Sequence, residues 1–155
     1  MTRQIQPDAG SSDQFPGVPP EWNIVTESII GAAMEVHSAL GPGLAEKLYE
    51  EAMGHELLLR HLRIDRQRQI RLQYKTMLLS PPQLDLVVND LVVVELKAVE
   101  RVHDAHLAQL VGYLKAGGFP LGLLINFHAP RIKDGLYRRI NSTPTGHHFK
   151  PVNLV

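Results

Sequence analysis

The run LVVVELKAV, Leu91 to Val99, constrains the fold of this chain more than any other stretch. It is rich in β-branched residues and does not alternate with polar ones, which is the pattern of a strand covered on both faces within an α/β domain. Glu95 and Lys97 interrupt it. Desolvating an unpaired carboxylate or ammonium costs on the order of several kcal/mol even after relaxation, so these side chains require partners, a metal ion or a water-filled notch.

The length of 155 residues suits one domain with a real core and is short for two. Hydrophobic residues make up 44% and charged residues 21%, as in soluble globular proteins, and no apolar run approaches a membrane span. The chain divides into a leader over 1–21, rich in Pro, Gly, Ser and Asp and expected to be disordered, a domain over 22–141 and a tail over 142–155. The absence of cysteine excludes disulfides, thiolate zinc sites and cysteine nucleophiles, and fits a reducing cytoplasm. Sixteen basic residues balance sixteen acidic ones, so no global field draws the protein to nucleic acid and any such binding rests on local patches. Two clusters are candidates: Arg60, Arg63, Arg66, Arg68 and Arg71, and Arg131, Lys133, Arg138 and Arg139. Both also read as solvated element ends and as an edge strand carrying protective charge.

Val25, Ile29, Ala32, Ala33, Val36 and Leu40 recur at helical spacing and predict a helix over Asn23–Leu40, broken by Gly41-Pro42-Gly43. A second helix is expected from Leu44 to His61, with Leu48, Ala52 and the leucines at 57–59 facing inward. Alternation over Ile64–Tyr74 predicts a half-exposed strand. A hairpin follows from Leu84 to Ala98, turning near Asn89-Asp90. His103–Gly117 predicts a third helix with an inward stripe of Leu107, Val111 and Leu114 and a polar face of His106, Gln109 and Tyr113. Leu121–Phe127 predicts another buried strand, Lys133-Asp134-Gly135 a turn and LYRRI a last strand. The order implies a single mixed sheet with helices on both faces.

Strand parity places Glu95 and Lys97 on one face and Leu96 on the other. Asp85 lies ten positions before Glu95. A two-residue turn at Asn89-Asp90 would pair Asp85 with Val94, on the wrong face. A three-residue connection, Asn89-Asp90-Leu91, sets Asp85 directly across from Glu95 and brings two carboxylates and an ammonium together. A hard divalent ion such as Mg2+ is held by one or two carboxylates with waters, and a lysine beside it can act on an attacking water or on phosphoryl charge. A surface ladder of opposite charges has the same spacing, but it would not sit among Val92, Val93, Val94 and Ala98.

Asp85 followed by Glu95-Leu96-Lys97 on the next strand, after a helix bearing a carboxylate, resembles the PD-(D/E)XK nuclease superfamily. The segment GLAEKLYEEAM, with Gly43, Glu46 and Tyr49, is similar to the signature of its GxxExxY branch. IGAAMEVHSALGPGL, VVVELKAVE, AQLVGYLKAGG and LGLLINFHAPRIKDGL extend the likeness over Trp22–Asn141. The resemblance implies a restriction-endonuclease-like α/β fold and Mg2+- or Mn2+-dependent hydrolysis of DNA or RNA. It implies Glu46 as the helical acid, Asp85 and Glu95 as metal ligands joined by Glu46 and the Leu96 carbonyl, and Lys97 as the catalytic lysine. Gln109 and Tyr113 match the QxxxY substrate motif of exonuclease-like members, in which a helical histidine, here His37, joins the metal site. One departure is the approach Ser80-Pro81-Pro82-Gln83-Leu84, where members often carry a basic residue that contacts substrate. Two other readings stay open: a nucleic-acid-binding module without turnover, and a structural or regulatory homo-oligomer whose charges form a buried ion network.

Overall fold

The computed structural model describes residues 15 and 17–142. Helix α1 (Pro20–Leu40) begins three residues before its expected start, because Pro20 at the first position has no N–H to satisfy and already holds a helical φ. Ile29, Ala32, Ala33 and Val36 face the core as their spacing predicts, whereas Leu40 is exposed at the helix end. Phe15, inside the segment expected as a leader, is 2% exposed and packs in the same core. Asn23 holds its backbone, accepting the Phe15 N–H at 2.7 Å and donating to its carbonyl at 3.2 Å. The rest of the leader before residue 17, and the tail from residue 143, lie outside the described residues.

Gly41 and Gly43 carry the reversal after α1 at φ of +68° and +105°, where a side chain would be strained. Helix α2 (Glu46–Leu59) follows, and its buried stripe is Tyr49, Met53 and Leu57. Leu48, Leu58 and Leu59, expected inside, are exposed. Three consecutive leucines carry no helical phase; the fully buried ring of Tyr49 sets it, stacking on Phe127 with centroids 4.5 Å apart. The Tyr49 hydroxyl donates to the Gly41 carbonyl and accepts the Leu44 N–H, so it ties the reversal to the start of α2.

Five strands form the main sheet. In chain order β1 (Ile64–Gln69) is followed by a separate small hairpin, β2 (Gln73–Tyr74) and β3 (Met77–Leu78), then by β4 (Gln83–Val88) and β5 (Val92–Lys97). Helix α3 (Asp104–Gly117), β6 (Leu121–Asn126), a 3-10 turn (Ile132–Gly135) and β7 (Leu136–Ile140) complete the described residues. The sheet order is β1-β4-β5-β6-β7; β5 and β6 run parallel with α3 as their crossover, and the other pairs are antiparallel. The strand expected over Ile64–Tyr74 therefore stops at Gln69. Pro81 and Pro82 have no N–H with which to continue β4 backwards beside it.

Helices α1 and α2 cover one face of the sheet through Leu86, Val94, Leu96, Leu123 and Ile125. Helix α3 covers the other, where Leu107, Leu110 and Leu114 meet Val87, Val93 and Leu124. Leu110, rather than the expected Val111, completes that stripe. Burial of β5 on both faces matches its unalternating sequence.

Replacing Tyr49 by Phe keeps the stack but strands a carbonyl and an N–H of the reversal. The substitution is expected to cost about 1–3 kcal/mol, seen in thermal melts as a drop of roughly 2–4 °C per kcal/mol for a domain of this size.

Candidate active site

The register of the β4–β5 hairpin decides the geometry. Asn89 and Asp90 both have φ of +52°, and the Leu91 N–H donates to the Val88 carbonyl at 3.0 Å, which makes a primed turn of these four residues. Val88 nevertheless pairs with Val92, so Leu91 is one residue extra and the connection has three residues. The pairs Leu86↔Val94, Val87↔Val93 and Val88↔Val92 continue by count to Asp85 opposite Glu95.

Beyond Leu86↔Val94 the ladder gives way to side chains. The Leu96 N–H donates to Asp85 Oδ2 at 2.8 Å, and the Asp85 N–H donates to Glu95 Oε1 at 3.2 Å. The strands part here, and the opening holds both carboxylates. Glu95 is 5% exposed, while Asp85 and Lys97 are half-buried. Burial, then the charge of Asp85, pushes the Glu95 carboxyl up to about 8, against the opposing pull of the Asp85 N–H and of Lys97.

Glu46, first residue of α2, reaches the same place: it accepts a hydrogen bond from the Ala98 backbone and feels the charges of Lys97 and Asp85. Partial burial, largest of several causes, raises its pKa. From α3, Tyr113 is raised by burial and then by the charges of Glu95 and Asp85, and His106 is lowered by burial and then by Lys97. Asp85 and Glu95 thus face each other, and the charges of this pair and of Lys97 reach Glu46 from α2 and Tyr113 and His106 from α3. Gln109 lies exposed on α3, one turn before Tyr113. His37 Nε2 lies 2.8 Å from the Ala129 carbonyl, and its ring is tilted against Phe127.

Three further residues belong to this neighbourhood and were not singled out from sequence. Glu50, buried one turn after Glu46, accepts from Gln67 Nε2 at 2.9 Å and from Arg66 Nε at 3.4 Å. Gln67 also reaches Asp85 Oδ1 at 3.4 Å, from a backbone with φ of +53° in the middle of β1. Buried Asn126, paired with Lys97 across β5–β6, grips Val99 through its N–H at 3.1 Å and its carbonyl at 2.8 Å, bracing the strand exit behind Lys97. The i,i+4 spacing of Glu46 and Glu50 was a legible signal, as was a polar residue ending the apolar run of β6. Nothing in the sequence marks the left-handed conformation of Gln67, a residue type that seldom adopts it.

Among the described residues no three His, Asp or Glu side chains are grouped so as to hold a metal ion by themselves. The donors at hand are two facing carboxylates and a backbone carbonyl. In an extended strand a residue's N–H and C=O point to the same edge, so the Leu96 carbonyl faces the opening into which its N–H points. That set fits a hard divalent cation, which takes oxygen ligands and completes its shell with water. A cation there would oppose the burial and the Asp85 charge that together raise the Glu95 pKa.

A mixed five-stranded sheet between helices, opening over paired carboxylates and a lysine, is a restriction-endonuclease-like α/β domain. A family model for the PD-(D/E)XK nuclease superfamily matches residues 23–140, and the chain belongs to that superfamily. No curated protein and no solved structure gives a significant match. Membership suggests a nuclease, with nucleic acid as substrate and divalent metal ions as the general cofactor of the superfamily. No helix among the described residues is long and apolar enough to cross a membrane.

The sign of the Glu95 shift predicts a pH effect on the metal-free protein. Below about pH 4.5 the carboxyl is protonated in both folded and unfolded chains; above it the unfolded chain ionises while the folded one keeps its proton. Stability is therefore lost as pH rises from about 4.5 through about 8. Melting temperatures in EDTA are expected to fall across this window, and Glu95→Gln, a neutral mimic of the protonated side chain, to remove most of the slope.

Proposed function

We propose that the protein is a Mg2+- or Mn2+-dependent nuclease of the GxxExxY branch, hydrolysing phosphodiester bonds of DNA or RNA in the cytoplasm. The observation that carries this reading is the parted β4–β5 pair, which sets Asp85 against Glu95 with Lys97 on the same face of β5. The branch assignment draws on the work its signature does here: Gly43 permits the reversal, Tyr49 ties it down, and Glu46 is delivered to the carboxylates.

Asp85, Glu95 and the Leu96 carbonyl would hold the ion. When bound, it supplies a Lewis acid for the phosphoryl group and lowers the pKa of a coordinated water. Lys97 stabilises charge developing on the phosphoryl oxygens and orients the attacking water. Glu46 sits beside Lys97 and accepts the Ala98 N–H, so its part is to set the position of the lysine. Gln109 and Tyr113 present a polar helix face to the substrate strand. His37, held by Ala129, braces α1 against the loop after β6.

Purified protein with Mg2+ or Mn2+ is expected to cleave single- or double-stranded nucleic acid. Lys97→Ala should lower kcat by about 100-fold or more while leaving the metal-induced rise in melting temperature intact. Asp85→Ala should lose both. Binding of oligonucleotides without cleavage of any DNA or RNA substrate would replace this reading with that of a binding module. Absence of both binding and cleavage would leave the oligomer reading.

A further inference from the structure

The small hairpin β2–β3 has no part in the main sheet and no core of its own. Every residue from Gln73 to Ser80 is exposed, among them Tyr74 at 61%, Met77 at 64% and Leu78 at 53%. Large apolar side chains held out on a two-stranded arm gain no internal packing there, so they mark a surface meant for a partner. The charge of the segment says which kind. Between Asp65 and Asp85 there is no carboxylate, whereas Arg66, Arg68, Arg71 and Lys75 are all cationic, in a chain of zero net charge. Arg66 is paired with Glu50, and Arg68 with Asp65 and Asp90. Among the described residues Arg71 and Lys75, on the hairpin and its stem, enter no ion pair; Lys75 lies over the Tyr74 ring at 5.4 Å.

The arm is also continuous with the candidate active site. The Ile70 N–H donates to the Pro82 carbonyl at 3.1 Å and closes the base of the arm, and Asp85 lies three residues beyond Pro82. On the other side, Ile70 packs against α3 at Gly117, one turn after Tyr113, which feels the charges of Asp85 and Glu95.

The geometry points to a function for this arm: the β2–β3 hairpin is a substrate-binding platform on which unpaired bases of a single-stranded nucleic acid stack, with Arg71 and Lys75 following the phosphates. This role deepens the nuclease reading and rests on it. An exposed ring and a thioether offer faces to any base without regard to sequence, and the two cations give the polyanion a path toward the carboxylates. A duplex, whose base faces are stacked inside, gains only the phosphate interactions. The arm supplies the basic group that Ser80-Pro81-Pro82-Gln83-Leu84 omits just before Asp85.

The test measures anisotropy of a fluorescein-labelled single strand, as DNA and as RNA, and of its duplex, in EDTA so that nothing is cut. Tyr74→Ser combined with Met77→Ser is expected to weaken single-strand binding about tenfold or more, with a much smaller effect on duplex. With metal present the same variant should show a raised KM and an unchanged kcat. Arg71→Gln combined with Lys75→Gln should flatten the dependence of log affinity on log salt by about 0.7 for each phosphate no longer neutralised. Both variants should keep the wild-type melting temperature and its rise with Mg2+, since the replaced side chains are exposed. Variants that bind and cut like the wild type overturn the platform while leaving the nuclease reading in place. So does a wild-type dimer that dissociates in the variants with oligonucleotide binding unchanged. A wild type that neither binds nor cuts overturns both.

Discussion

Two backbone N–H groups, those of Asp85 and Leu96, are satisfied by carboxylates instead of by the neighbouring strand. The rest of the site depends on that exchange. Had the ladder continued, the strands would have closed over the position and left no opening; had the N–H groups gone unpaired, each would have cost about 1–3 kcal/mol in a region this buried. The carboxylates keep the strands apart and are themselves anchored by the same bonds. Their closeness has an electrostatic consequence, because the low-dielectric core that covers β5 on both faces makes it costly for both to ionise together. A positive charge placed between the two carboxylates would offset that cost.

The opening is braced from several sides by hydrogen-bonded residues of the surrounding elements. Tyr49, stacked on Phe127 and bonded to Gly41 and Leu44, fixes where α2 begins and hence where Glu46 lies. His37 reaches across to Ala129, so α1 is fastened to the loop that follows β6. Asn126 holds Val99 by both backbone groups, just past Lys97. On the β1 side, Gln67 bridges Glu50 and Asp85 from a left-handed backbone conformation, a small strain retained where it orients a carboxylate. Arg66 offsets the burial of Glu50, so the second carboxylate of α2 is partnered and Glu46 remains the one directed at the strands.

Zero net charge is compatible with a polyanionic substrate when the cations are local. Most of the arginines near β1 are paired, with Glu56, Asp90, Glu50 and Asp65, at the end of α2 and along the edge strand. Arg71 and Lys75 stand apart from that arrangement on an arm rooted beside Asp85. The protein thus combines an acidic pair, buried at Glu95 and half-buried at Asp85, with an exposed arm that is cationic and apolar and whose base is closed at Pro82.

Much of the architecture was legible because it follows from periodicity and from what backbone chemistry forbids. The doubly covered β5, the helices broken at Gly41-Pro42-Gly43 and capped at Gly118, and the last strand LYRRI each follow from local pattern. The parity of Glu95 and Lys97 is a property of any strand, and the two turn lengths were the only alternatives for Asp85. Choosing between them was a tertiary matter, since one extra residue, Leu91, moves every side chain of β4 to the other face, and only packing against the helices on both sides penalises the wrong register. The same reason explains the helix phases: LLL in α2 and the Leu110-Val111 pair in α3 are apolar in every direction, and burial of Tyr49 and Leu110 is decided by the sheet they meet. Sequence by itself determined which residues could form a site; long-range packing, which no local pattern encodes, decided that Glu50 and Gln67 join it and that His37 is turned to Ala129.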